Sequence, residues 1–186
     1  MLTVREASAG LYGAYRLACL DPAGMRFFDN SLNGFWRSFY AAAIVAPMYA
    51  LLLLVSFAVD PDPPATIRYL AVNAISYVIA WVAFPLIVFY LCGLFDRQSH
   101  FVRYIVAYNW AAVLQNALLL PLTIAERLGL LPPMLVFLAI LAVLGYAGFI
   151  ARVALDVPVL TAVGVALIDW LLGIFLQYWT LSLLNS

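Results

Sequence analysis

The sequence predicts an all-α fold: a polytopic membrane helix bundle of five transmembrane helices, preceded by an N-terminal amphipathic interfacial helix. Three observations carry that expectation. Hydrophobic residues make up 67% of the 186 positions and charged residues only 10%, where a water-soluble chain carries about 25%. The apolar residues gather into five runs near the roughly 20-residue length that crosses a bilayer. All nine basic residues are arginine, and all nine fall outside those runs. Too little polar surface is present to cover the apolar surface, so lipid must solvate it. A chain of this length is expected to form one bundle, with an interfacial segment at 1–37 and the five spans within 38–186.

Each element has its own signal. Thr3 and Glu6 have capping-box spacing, and Val4, Ala7, Leu11, Ala14, Tyr15 and Ala18 recur at helical intervals. Arg5, Glu6 and Arg16 lie off that face and interrupt any continuous core of a cleavable leader. Asp21-Pro22 restarts the chain as N-cap and first helical residue. Phe27, Phe28, Phe35, Trp36, Phe39 and Tyr40, interspersed with Arg26 and Arg37, read as an aromatic and arginine belt at a membrane surface.

The first span is expected at 38–59, with Ala42, Ala46 and Ala50 on one face and Pro47 inside; Asp60-Pro61-Asp62-Pro63-Pro64 ends it. The second, 69–95, is longer than a bilayer needs and carries Pro85. The connection 96–103 holds Asp96 and His100, four residues apart, with Arg97 and Arg103 beside them, and reads as a solvated membrane-edge loop. The third span, 104–125, has the densest set of polar groups, Asn109, Gln115 and Asn116. The fourth, 133–151, is smooth with Gly145, Ala147, Gly148 and Ala151, and is expected to be the helix most exposed to lipid. The fifth, 158–184, carries one acid, Asp169, near its midpoint.

That acid is the chemically informative residue. A carboxylate at the middle of a spanning helix costs ~2.5–3.5 kcal/mol on the insertion scale. Fourteen Val, Leu, Ile and Phe residues between Val159 and Leu184 offset it. Asp169 is eleven residues from Pro158 and Asn116 twelve from Tyr104, which puts them at roughly 16 and 18 Å along their axes. An intramembrane polar cluster of Asp169, Asn116, Gln115 and Asn109 is therefore expected, with an amide donating to the carboxyl. Asn73 and Gln177 are expected to form a second polar layer nearer the far face. Two readings follow: Asp169 as a clamp between helices, or Asp169 on an aqueous path for a proton or cation.

Five spans put Arg5, Arg16, Arg26, Arg37, Arg97, Arg103 and Arg152 on one side and Arg68 and Arg127 on the other. By the positive-inside rule the N-terminus is expected in the cytoplasm and the C-terminus outside, in an inner membrane of bacterial type. Zero net charge argues against nucleic acid as a partner. Two cysteines and one histidine supply no disulfide framework and no metal set, so neither metal nor cofactor is expected. No nucleophile with a base and no carboxylate pair at one depth point to an enzyme.

An N-terminal segment followed by five spans, with a proline-broken second helix at Phe84-Pro85-Leu86, resembles the Yip family of five-span membrane proteins. The family's Asp-Leu-Tyr-Gly-Pro signature is absent, and Leu11-Tyr12-Gly13 is the nearest trace of it. The resemblance implies a protein that acts by binding partners, and it carries over no functional residues. The expected function is thus a non-enzymatic accessory, scaffold or assembly component in contact with the lipid bilayer and with a membrane-protein partner or a second copy. The alternative is a small transporter or channel centred on Asp169.

Overall fold

A computed structural model describes residues 2–185. Among them seven α-helices follow in order: α1 (Val4–Ala18), α2 (Leu32–Ser38), α3 (Tyr40–Val59), α4 (Thr66–Leu94), α5 (Phe101–Arg127), α6 (Pro133–Leu155) and α7 (Val159–Asn185). Short 3-10 turns at Pro22–Phe27 and Gln98–His100 join them. Five stretches are long and apolar enough to cross a membrane: Leu32–Val59, Thr66–Leu94, Gln98–Arg127, Pro133–Leu155 and Val159–Asn185. Each outruns its sequence-based bounds at one or both ends, because a helix continues past the last apolar residue where side chains cap it or neighbours pack on it.

Local chemistry starts and stops these helices. Thr3 Oγ1 accepts from the Glu6 amide while the Glu6 carboxylate accepts from the Thr3 amide at 2.8 Å, completing the capping box of α1. Asp21 Oδ1 accepts from the Ala23 amide, and Ser31 Oγ accepts from the Gly34 amide at the start of α2. Pro47, Pro85 and Pro121 lie inside α3, α4 and α5, and all three helices run through them. In a bilayer no water is present to take over the backbone, so a helix persists around a proline where it would end in solution.

The helix α5 is the axis of the molecule. Half of its most apolar window is buried, against 6% of the corresponding window in the Leu32–Val59 stretch. It packs on α3 and α6 and, through its first turns, on α1 and α2; α7 packs on α6 and α4. The helix most exposed to lipid is therefore α3 and not α6. The smooth patch on α6 has the opposite meaning from the one its composition suggests. Ala147, Ala151 and Ala154 are buried, and the Gly148 position lies 4.0 Å from the Ala166 methyl of α7. Small residues let these two backbones approach.

The core sits at the end of the bundle that holds α1 and seven of the nine arginines. Leu17, Phe84, Val88, Cys92, Tyr104, Ile105, Ile150 and Leu155 are each at most 1% exposed there. The inward face of α1 runs through Gly10, Gly13, Ala14 and Leu17, whereas Val4 and Tyr15 of the sequence-derived stripe point outward. The glycines decide this. A methyl at Gly10 would meet the Trp110 ring at 2.5 Å, and one at Gly24 would meet the Gly13 carbonyl oxygen at 2.6 Å. Ion pairs Arg16–Asp21 and Arg37–Glu6 tie α1 to the turn after it and to α2. Tyr146 of α6 donates to the Ala14 carbonyl at 2.7 Å.

Candidate functional site

The opposite half of the bundle is hollow. A cavity of about 570 Å³ lies between α3, α4, α5 and α7. Its floor is Tyr108 of α5 with Trp81 of α4, and its rim holds Asp60, the C-cap of α3, and Arg127, the last residue of α5. Between floor and rim the walls carry four carboxamides: Asn73, Gln115, Asn116 and Gln177. Gln115 is twelve residues from the end of α5, roughly 18 Å along its axis, while Asn73 is seven residues into α4 and Gln177 eight from the end of α7, roughly 10–12 Å. The cavity thus has a deeper and a shallower tier of amides.

Geometry explains the hollow. The α4–α7 seam is closed by a buried hydroxyl pair, Thr180 Oγ1 donating to Ser76 Oγ at 2.7 Å. The α3–α4 seam is closed by tyrosine side chains instead of close backbones. Tyr49 and Tyr77 stack at 4.8 Å, Tyr77 donates to the Ala42 carbonyl at 2.7 Å, and Tyr69 donates to the Leu53 carbonyl at 3.1 Å. Rings that long hold two helices apart, and the space behind them is the cavity.

The polar groups singled out from the sequence do not form one cluster. Asp169 is half-buried, and its carboxylate accepts from the Tyr108 hydroxyl at 2.9 Å. No amide holds it. Asn116 Nδ2 donates back along its own helix to the Ala112 carbonyl at 2.8 Å, and Gln115 Nε2 is buried with no partner among the described residues. The matched-depth argument fails because it took the two helices to start level. Counted from Tyr104 and Pro158, Tyr108 is four residues along its helix and Asp169 eleven, a mismatch of seven residues, or roughly 10 Å along the axis. That shift replaces the amide with the phenol. Asn109 belongs to a third place: its Nδ2 donates to Ser38 Oγ at 2.8 Å, joining α5 to the end of α2, and its Oδ1 is buried and unpartnered among the described residues. Asn73 Nδ2 donates to the Tyr69 carbonyl at 2.8 Å, which turns its Oδ1 toward the cavity it lines.

Tyr108, Thr180 and Tyr77 also line the cavity, and a search for amides and acids passes over them. Tyr108 had a signal, a tyrosine four positions after Tyr104 in the middle of an apolar run. Its hydroxyl joins the cavity floor to Asp169, which itself lies behind the wall. Comparison of the chain with protein-family models, with curated proteins and with solved structures finds no match.

Proposed function

We propose that this is a non-enzymatic membrane protein that works by binding, and that the cavity is its receptor surface. The observation that carries this reading is the pairing of an amide-lined space with a sealed base. Below Tyr108, the Arg-rich half is filled by the buried side chains of Phe84, Tyr104, Val88 and Leu155. Between rim and floor, the described lining residues offer hydrogen bonds and aromatic faces but no acid or base beyond tyrosine. Such a lining recognises a molecule without transforming it.

Accessory, scaffold and assembly roles fit a receptor of this kind, and the five-span resemblance to the Yip family points the same way. The seven-to-two division of arginines supports a cytoplasmic N-terminus, with the cavity opening outward. Exposed Val4, Tyr12, Tyr15 and Leu20 on and just beyond α1 support its lying in the interface of that membrane. A transporter is the second reading. It is favoured by a cavity open at one end with Tyr108 at its floor and Asp169 bonded to that tyrosine from behind.

One experiment separates the two. Gly173 lines the cavity, and a methyl built there meets nothing within 4 Å. In a Cys19→Ser background, Gly173→Cys should react with a membrane-impermeant maleimide applied from the side opposite the N-terminus. Vesicles carrying the native protein should leak protons and cations no faster than empty ones. Absence of labelling would remove the receptor surface. Flux above that background, lost in Asp169→Asn, would replace binding with transport.

A further inference from the structure

We infer that the cavity holds one acyl chain of a zwitterionic phospholipid, taken in sideways from the bilayer through the α3–α4 seam. The inference rests on the binding reading and adds the class of ligand and its route.

Shape is the first discriminator. The cavity runs along α5 from Tyr108 to Arg127, nineteen residues or roughly 28 Å, and along α3 from Val45 to Asp60, fifteen residues or roughly 22 Å. Spread over that length, about 570 Å³ is a slot roughly 5–6 Å across. An α-helix with its side chains is roughly 10–12 Å wide and does not enter. Carbon atoms pack at roughly 3.5–4.0 Å, so one linear hydrocarbon chain does. The slot is also longer than the roughly 15 Å that one leaflet contributes to a hydrocarbon core of roughly 30 Å. A small ion or a single ring would fill only part of it.

Hydrogen bonding agrees with the shape. Tyr69, Tyr77, Tyr108, Asn73, Asn116 and Thr180 each donate into the protein itself. A chain of methylenes therefore deprives none of these donors, and it meets the Tyr49 and Trp81 rings with Leu52, Leu53 and Leu176.

The seam supplies the route. The helix α3 packs on α5, and α4 packs on α7; between α3 and α4 the bridges are rings, Tyr77 and Tyr69 bonded to the Ala42 and Leu53 carbonyls and Tyr49 stacked on Tyr77. Ala42 and Leu53 lie within α3, where each carbonyl also serves the amide four residues on. A phenol that swings away thus orphans no acceptor. A chain passing between these rings never leaves hydrocarbon. The mouth supplies partners for the headgroup. Asp60 caps α3 and Arg127 ends α5, and Tyr69 lies within electrostatic reach of both. The two form no ion pair with each other among the described residues. A phosphate at Arg127 and an ammonium at Asp60 complement both charges.

The test uses the full chain in nanodiscs doped with phosphatidylcholine whose acyl chains are brominated. Binding is read as quenching of Trp81, assigned as the part of the signal that Trp81→Phe removes. Gly173→Leu, which extends into the cavity, should cut that quenching by about half or more. Gly164→Leu, on the same helix with open space around it and away from the lining, should leave it unchanged. Brominated phosphatidylglycerol, which has no ammonium, should quench about threefold less at the same doping, and Asp60→Asn should remove that difference. A Tyr49→Cys, Tyr77→Cys variant bridged by a bifunctional maleimide in a steroid detergent, before it meets lipid, should escape quenching that the unbridged variant shows. No quenching of Trp81, equal quenching in Gly173→Leu, equal quenching by the two lipids, or quenching of the bridged variant would each overturn the inference. Gly173→Cys, labelled in the steroid detergent that offers no linear chain, separates the failures. If it is labelled yet Trp81 is not quenched, the ligand falls and the receptor surface stands. If labelling also fails, both fall.

Discussion

The two ends of the bundle are built from the same five long apolar helices, yet one is solid and the other hollow. At the Arg-rich end, α1, α2 and the turn between them wrap the first turns of α5, so Tyr104 to Ala107 are almost wholly buried. At the opposite end the described residues add no further element, and α3 and α4 are propped apart by Tyr49, Tyr69 and Tyr77. The contrast teaches that hydrophobicity puts a helix in the membrane but does not close the space between helices. Closure depends on what side chains stand at the seams: glycine and alanine at one end, long rings and amides at the other.

The largest test of that contrast is truncation of one side chain in each half. Phe84 is fully buried against Tyr104 and Tyr108, so Phe84→Ala should cost ~3–5 kcal/mol. Leu52 already faces the cavity, and Leu52→Ala should cost less than ~1 kcal/mol. Chemical unfolding in micelles would measure both. Equal costs would mean that the hollow half is in fact packed.

A matched pair of glycines gives the next effect. Gly24→Ala forces a methyl to 2.6 Å from the Gly13 carbonyl and should destabilise by ~1–3 kcal/mol. Gly173→Ala has room on every side and should be neutral or stabilising by up to ~1 kcal/mol through helix propensity. Melting temperatures moving in opposite directions would sharpen the comparison; a fall in both would break it.

Acid gives the smallest effect, and it acts at the Arg-rich end. The Thr3 amide, more than Arg37, holds the Glu6 carboxyl below its ordinary range; the Ala23 amide, with Arg16, does so for Asp21; the Ser31 amide does so for Asp29. All three carboxyls are lowered in the folded state. Their contribution is therefore complete above about pH 4 and is lost as pH falls through the folded values below it. Melting temperature should drop between pH 6 and pH 3 in the native protein. The drop should shrink in a combined Glu6→Gln, Asp21→Asn, Asp29→Asn variant, and a drop of unchanged size would place the acid-sensitive contacts elsewhere.

Much of this architecture was legible before any coordinates. Run lengths located all five spans, Pro63-Pro64 and Pro132-Pro133 marked turns between them, and Thr3 with Glu6 marked the first cap. These features are local, and local rules read them. The candidate site was legible only as a set of residue types. Asn73, Gln115, Asn116 and Gln177 could be named, but whether four amides bond to one another or surround a space depends on how the helices stand side by side. Tyr108 was hidden for a related reason: a phenol reaches across a seam only if its helix is offset from the next by the right distance.

The sequence by itself determined that this chain is a bundle of five membrane-length helices with seven of its nine arginines at one end, because lipid cannot satisfy backbone or charge and so dictates both. Only the tertiary structure decided which helix lies at the centre, where Asp169 finds its donor, and that amides and tyrosines enclose a cavity instead of a knot of hydrogen bonds. Helix order, axial offset and seam width are set by pairwise packing between distant stretches of chain, and no periodicity within a single stretch records them.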